Sequence, residues 1–217
     1  MKPQQVQTLK ELVQKTVAPI KGVRPAFNEY HVIKTLLLLY EKEPLGRNLL
    51  SKYLGLGVTS TRTLMKRLKE LSIIYIDPVA GCLLTDYGRL LLKRVFSLVA
   101  KGGDVTEILD RSLLLYTRAF AFLLKKGVEI LNRYDVTYIR DTIIKHTARA
   151  SVVVYIDDGK AYIPPDKNLN EELYPSLQKL KHVLNAGDSD VIFLIFADDE
   201  SRAEKAFFFS LLDLNII

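Results

Sequence analysis

The residue types that build many catalytic and metal sites are scarce in this 217-residue chain. It contains one cysteine, Cys82, no tryptophan and three histidines. A single cysteine excludes an internal disulfide and a thiolate-rich zinc site, and it fits a reducing compartment. His31, His146 and His182 fall on three separate predicted helices without paired spacing. The sequence therefore predicts no metal site.

Long apolar runs and phosphate-binding loops are missing as well. The longest apolar runs, such as Leu36–Tyr40 and Val191–Ala197, are far too short to span a bilayer. The N-terminus lacks the apolar core of a signal peptide. No glycine-rich loop follows a predicted strand, and no serine-centred nucleophile elbow is present. We therefore expect a soluble cytoplasmic protein that has no membrane partner and no cofactor, and that is not an enzyme.

The charge of the chain is divided unevenly between its halves. The formal net charge is +6, but residues 1–100 hold 16 Lys+Arg against 7 Asp+Glu. The rest of the chain holds 15 basic and 18 acidic residues. Because phosphates attract cations, a nucleic-acid ligand is expected on the N-terminal half and is unlikely on the C-terminal half.

The stretch from Arg47 to Arg94 predicts a defined series of short elements. A helix over Asn48–Leu54 meets a tight turn, and a second helix starts at Thr59, which is a plausible N-cap. Two strands (73–76 and 81–84) and a helix over 86–100 follow. This order is typical of a winged helix-turn-helix, whose second helix usually lies in the major groove of DNA.

The second helix of this series has two different faces. At about 100° per residue, the face expected to pack inward carries Thr61, Leu64, Met65, Leu68 and Leu71. The outer face offers hydroxyls and cations, with Arg67 on its flank. We predict that base edges are contacted by Arg62, Thr63 and Lys66. We predict phosphate contacts for Arg47, Lys52, Thr59, Ser60, Arg67 and Lys69.

The turn between the two predicted strands contains no basic residue. It reads Asp-Pro-Val-Ala, from Asp77 to Ala80. A wing that reaches the minor groove normally offers arginine or lysine. We therefore expect this hairpin to be structural, with recognition resting on the helix.

The N-terminal part of the chain predicts two further helices. Residues 4–17 form an amphipathic pattern that includes Val6, and this helix either packs across its own domain or pairs with a second copy. A helix over roughly Asn28–Lys42 follows, and Asn28 could cap it. We divide the chain into residues 1–25 (helix and connector), 26–101 (winged domain) and 104–217, with the boundary at Lys101–Asp104.

The C-terminal part predicts a two-layer α+β domain in the order β-α-β-β-α-β-α. Its expected elements are strands at 118–126, 151–156, 160–163 and 191–197 and helices at 135–146, 174–184 and 200–213. The fold class of the whole chain is thus α+β. We expect this domain to serve dimerisation, the sensing of a small-molecule effector, or both.

Candidate ligand residues in the C-terminal part are Arg140, Asp141 and Lys145, which lie on one predicted helix. Arg140 could hold an anionic effector bidentately. Alternatively, Asp141 and Lys145 pair at i, i+4 on a solvated face. The adjacent carboxylates at 157–158 and 198–199 could bind a cation, but turn formation and helix capping explain them at least as well.

Several stretches together resemble a known family. They are GRNLLSKYLGLGVTSTRTLMKRLKELSII, LTDYGRLL, YIRDTIIKHTARASVVVYIDDGKAYIPPD and GDSDVIFLIFAD. From about Phe27 onward the chain resembles an archaeal group of winged-helix proteins that carry a C-terminal domain of unknown function. The resemblance implies a DNA-binding regulator, without naming a target or an effector.

The hypothesis from the sequence is a homodimeric transcriptional regulator that binds double-stranded DNA. Two alternatives remain open. The winged helix could serve as a protein-interaction adaptor that does not bind DNA, since such domains also build complexes. The C-terminal domain could instead be an enzyme acting on a small anion, although the sequence offers no nucleophile–base pair for it.

Overall fold

The computed structural model describes residues 8–217, which form two compact units of mixed helix and strand. Unit 1 extends to Phe96 and includes Ile217, and unit 2 covers Ser97–Ile216. Val6, in the first predicted helix, lies outside the described residues. No helix within residues 8–217 is long and apolar enough to cross a membrane.

Unit 1 contains five helices and a β-hairpin among its described residues. The helices are α1 (Leu9–Val17), α2 (Glu29–Lys42), α3 (Arg47–Leu54), α4 (Val58–Glu70) and α5 (Asp86–Phe96). The hairpin consists of β1 (Ile74–Asp77) and β2 (Gly81–Leu84), which pair antiparallel between α4 and α5.

The helix termini of unit 1 follow local capping rules, with one difference from the prediction. Asn28 caps α2 as expected, because its Oδ1 accepts from the His31 backbone N–H at 3.4 Å and the His31 Nδ1 accepts from the Asn28 N–H at 3.1 Å. Helix α4 begins one residue before Thr59, with Gly57 as its N-cap and no side-chain cap. The prediction of Thr59 as the cap is therefore wrong.

Helix α1 packs inside its own unit. Leu9, Leu12 and Val13 are buried, and the helix contacts α2, α4 and α5. Packing within the same domain was one of the two alternatives for this helix. Residues 8–25 are thus part of unit 1 and not a separate segment.

The boundary between the units lies earlier in the chain than the predicted boundary at Lys101–Asp104. Helix α5 ends at Phe96, and residues 99–104 form strand β3 (Val99–Asp104), which pairs with β4 (Ala119–Leu124). The register shifts between Lys101 and Gly103, whose φ is +71°. Glycine serves here as the irregular residue of a strand, so the predicted boundary at 101–104 is wrong.

Unit 2 is built on an antiparallel five-stranded sheet. Its remaining elements are α6 (Val128–Arg133), α7 (Val136–Lys145), β5 (Ala150–Asp157), β6 (Lys160–Tyr162), α8 (Pro175–Leu184), β7 (Val191–Phe196) and α9 (Glu200–Asp213). The strand order is β3-β4-β7-β5-β6, with antiparallel neighbours throughout. The predicted order of elements is recovered, and β3 and α6 are additions to it.

Helices cover both faces of this sheet, so the predicted two layers are in fact three. On one face the Phe207 ring of α9 stacks on Phe122 at 4.6 Å between centroids. On the other, Leu177 and Leu180 of α8 belong to the same buried cluster as Leu123. The reason is that β4 and β7 are apolar and buried at every position, and such strands need cover on both sides.

One arginine of unit 1 is buried. The Arg67 side chain is 8% exposed, and its Nη1 donates to the carbonyl oxygens of Thr16 and Ala18, each at 2.7 Å. Its guanidinium also lies 5.5 Å from the centre of the Phe27 ring. Arg67 therefore holds the end of α1 against α4.

We predict that Arg67→Ala lowers the free energy of unfolding by about 2–4 kcal/mol, because the buried Thr16 carbonyl and the partly buried Ala18 carbonyl lose a charged donor. Arg62→Ala, an exposed arginine on the same helix, is the matched control and should stay within about 0.5 kcal/mol of wild type. Urea unfolding followed by circular dichroism measures both. Equal losses in the two variants would contradict the structural role of Arg67.

The cysteine is a buried residue of strand β2 in the hairpin. Cys82 has no exposed surface, and its backbone exchanges two hydrogen bonds with Leu45, at 2.8 and 3.0 Å. Burial, and next the negative charge of Glu43, raises the pKa of the Cys82 thiol to about 12. Since folding favours the neutral thiol, the stability that this group contributes is complete below its ordinary pKa and falls as the pH rises toward 12.

We predict that native Cys82 reacts with a thiol reagent far more slowly than the urea-unfolded chain at about pH 8, because the thiolate is the reactive form. At that pH the raised pKa keeps the thiol of the folded protein protonated. Absorbance of the released thiol product measures the rates. Rapid labelling of folded protein would show that Cys82 is accessible.

Candidate nucleic-acid interface

Four of the predicted cationic residues line one open groove in unit 1. Arg47 stands at the start of α3, and Arg62, Lys66 and Lys69 project from α4. The opposite wall is the hairpin segment 76–81, and the groove encloses about 560 Å³. Two helices and a hairpin thus bring together residues that are well separated in sequence.

The amphipathic pattern of α4 explains why its cations lie together. Thr61, Leu64, Met65 and Leu68 are buried, as predicted from the helical period. Arg62, Lys66 and Lys69 follow one another at spacings of four and three residues, so they share the outer face. Leu71, expected on the inner face, is the C-cap and is half-buried.

The hairpin is fastened to the preceding helices by backbone and side-chain contacts. Leu45 forms an isolated antiparallel β-bridge with Cys82 of β2. Glu43 accepts from the Leu84 backbone N–H at 2.5 Å and pairs with Arg89 of α5. These contacts hold the groove wall in place relative to α3.

A side-chain hydrogen-bond pair closes the turn of the hairpin. Asp77 Oδ1 accepts from the backbone N–H groups of Val79 at 2.8 Å and Ala80 at 2.7 Å. The hydrogen bond from Ala80, and then that from Val79, lowers the pKa of the Asp77 carboxyl. With the turn held in this way, the Val79 side chain is 96% exposed.

The other residues predicted to contact nucleic acid have different surroundings. Lys52, Thr59 and Thr63 are exposed and Ser60 is half-buried, and all four lie outside the groove. The Thr63 hydroxyl donates to the Thr59 carbonyl at 3.2 Å. Arg67, predicted to contact phosphate, is buried against α1, and that prediction is corrected.

Electrostatically, the groove suits an extended polyanion. Its helical wall carries four cations, and Lys66 makes a loose ion pair of 3.8 Å with Glu70 while both side chains stay largely exposed. Exposed ion pairs of this kind contribute little and exchange readily for other partners. The Asp77 carboxylate on the facing wall accepts backbone hydrogen bonds within the turn.

The three candidate ligand residues of unit 2 have separate partners. Arg140 Nε donates to the Ser151 carbonyl at 3.0 Å, which joins α7 to β5. Lys145 pairs with Asp213 of α9 at 3.1 Å, and His146 Nε2 lies 2.8 Å from the same carboxylate. Asp141 is exposed. The structure thus does not assemble the predicted anion site, because Lys145 forms an ion pair with Asp213, which is distant in sequence.

The paired carboxylates make ion pairs and one helix cap within unit 2. Asp198 accepts from Tyr116 at 2.9 Å and pairs with Arg149 at 3.1 Å and with Arg202. The hydrogen bonds from Arg149, and then from Tyr116, lower its pKa. Asp199 caps α9. Within residues 8–217 no three His, Cys, Asp or Glu side chains group as metal ligands would.

Comparison with known proteins locates one family match in unit 2. Residues 115–214 match the family described as a domain of unknown function, DUF4443. One matching solved structure is a hypothetical protein from Pyrococcus horikoshii OT3. It is 26% identical, the match covers 86% of this chain and 92% of that chain, and the TM-score is 0.62. The comparison with curated proteins found no match.

These matches confirm the part of the predicted resemblance that concerns an archaeal relative and a C-terminal domain of unknown function. They attach no activity to the chain. The assignment of unit 1 as a winged helix-turn-helix stays a prediction.

We predict that Asp77→Ala speeds amide hydrogen exchange at Val79 and Ala80, because both N–H groups lose their acceptor. Asp77→Asn keeps a side-chain oxygen and should retain most of the protection. Exchange measured by NMR distinguishes the variants. Unchanged exchange at Val79 and Ala80 in the alanine variant would refute the role of Asp77 in the turn.

Proposed function

We propose that unit 1 is a winged helix-turn-helix domain that binds double-stranded DNA, and that the protein is a non-catalytic transcriptional regulator. The observation that carries this proposal is the convergence of Arg47, Arg62, Lys66 and Lys69 on one open groove. The order of α3, α4, hairpin and α5 supports it, since α4 occupies the position of a recognition helix.

The charge distribution favours DNA over the alternatives. The net positive charge of the chain comes from the residues of the N-terminal half. A protein-interaction adaptor gains little from four solvated cations on one groove, whereas a DNA ligand releases counterions when such groups meet phosphates. The groove is also open at the surface, as an extended ligand requires.

We assign different contacts to the two sets of exposed residues. Arg62, Thr63 and Lys66 on the outer face of α4 are proposed to meet base edges in the major groove. Phosphate contacts are proposed for Arg47, Lys52, Thr59, Ser60 and Lys69. Arg67 is omitted because its guanidinium is occupied by carbonyls of its own unit.

For unit 2 we propose a regulatory role through homodimerisation or effector sensing. The acidic balance of residues 101–217 argues against DNA contact by this unit. An effector site built on Arg140 and Lys145 has lost support, since both side chains bind within the unit.

We predict that full-length protein binds mixed-sequence genomic duplexes, and that affinity falls steeply with rising salt. Arg47→Ala/Lys69→Ala should weaken binding about 30-fold or more at low salt and reduce the slope of log K against log salt by about two, because two of the proposed phosphate contacts are lost. Fluorescence anisotropy of labelled DNA measures both quantities.

The matched control is Arg111→Ala/Lys179→Ala, which removes one exposed arginine and one exposed lysine from unit 2. It lowers the net charge equally and should bind as wild type does. Absence of binding by the wild-type chain at low salt would refute the DNA proposal and favour the adaptor. If both double variants weaken binding equally, the loss of affinity follows from the lower net charge alone and not from the groove residues.

A further inference from the structure

Unit 1 contains a second pocket, formed by the end of α1, the connector that follows it and the start of α2. This α1–α2 pocket encloses about 390 Å³ and shares no lining residue with the cationic groove. Most of its lining is apolar and comes from Val17, Ala18, Pro19, Pro25 and Phe27. A concave, largely apolar pocket that carries a few polar groups is the usual form of a small-molecule site.

Two side chains of opposite charge also line this pocket. Arg24 is exposed on the connector, and Glu29 is half-buried at the first position of α2. Within residues 8–217 neither side chain forms an ion pair or a hydrogen bond, so the two do not neutralise each other. A cation and an anion that share a pocket without pairing are both available to a ligand that carries both charges.

The buried guanidinium of Arg67 lies directly behind the pocket. It contacts two lining residues, since Nη1 donates to the Ala18 carbonyl at 2.7 Å and the Phe27 ring centre is 5.5 Å away. Its Nε is buried without a hydrogen-bond partner, and no carboxylate in the described part of the chain pairs with it. Buried charges in proteins are normally paired with an opposite charge. The charge of Arg67 therefore favours a carboxylate group within the pocket.

We propose that the α1–α2 pocket binds a free α-amino acid that has an apolar side chain. The carboxylate of the ligand pairs with Arg24, close to the charge of Arg67, and its ammonium group pairs with Glu29. Its side chain packs on Pro25 and Phe27. This ligand gives each unpaired charge of the pocket a partner and covers the apolar lining at the same time.

Charge and size select an amino acid over related ligands. A simple carboxylate leaves Glu29 without a partner, and a simple amine leaves Arg24 without one. Polar groups that are desolvated on binding and left imperfectly paired reduce affinity. The volume of about 390 Å³ is near the lower end of the range for small-molecule sites, which fits one amino acid better than a large cofactor.

This inference goes beyond the proposed function and does not depend on DNA binding. It places an effector site in unit 1 and gives the effector a chemical class. Because the ligand binds the folded chain, it should also raise the melting temperature as its concentration increases.

The test is isothermal titration calorimetry of the full-length chain with L-leucine and with L-phenylalanine. We expect a Kd of about 10 μM to 1 mM. Arg24→Gln and Glu29→Gln should each weaken binding about tenfold or more, because each removes one charge-assisted contact. The matched controls are Lys21→Gln on the connector and Glu41→Gln on α2, which change exposed charges outside the pocket and should bind as wild type.

Two analogues of leucine test the two charges of the ligand separately. Isocaproate lacks the amino group and isoamylamine lacks the carboxylate, so each should bind the wild-type chain about tenfold more weakly than L-leucine or worse. Equal affinity for isocaproate and L-leucine would overturn the assignment to an amino acid.

Two further results would overturn the site itself. One is the absence of binding by both amino acids up to about 10 mM. The other is binding that Arg24→Gln and Glu29→Gln leave unchanged, which would place the ligand elsewhere on the chain. Thermal melting of each variant without ligand confirms that it is folded. None of these results bears on DNA binding, so failure here leaves the proposed function intact.

Discussion

Burial of the inner face of α4 is the constraint on which the arrangement of unit 1 depends. Leu64 and Leu68 have no exposed surface, so the helix can rotate very little about its axis. Because the outer residues are tied to the inner ones by the helical period, this packing also sets where Arg62 and Lys66 stand. The cationic wall is thus a consequence of core formation, and its precision comes from side chains that never meet a ligand.

The second wall of the groove depends on contacts made across the chain. Leu45 pairs with Cys82, and Glu43 reaches the end of β2. Both residues lie between α2 and α3, so the same short segment positions the hairpin and the start of α3 with Arg47. A change in this connector should therefore alter both walls together, although it carries no predicted ligand contact itself.

Unit 2 follows a different physical rule, because its centre is a pair of strands apolar at every position. Strands β4 and β7 need cover on both faces, and α8 on one side and α9 on the other provide it. Charged groups at its rim, such as Lys145 and Asp213, then pair with each other. This accounts for a well-packed domain in which the candidate effector residues serve internal contacts.

The sequence by itself determined most of the elements and their faces, because helical and strand periods and caps such as Asn28 act over a few residues. It thus identified the outer face of α4 and the order of elements in unit 2. Only the tertiary structure decided the rest. Arg67 lies on the same helix as Arg62, yet it is buried and donates hydrogen bonds to carbonyls about fifty residues away in sequence. Likewise, the Gly102–Gly103 pair became a strand irregularity through pairing with β4. Long-range partners decide these cases, and local patterns do not encode them.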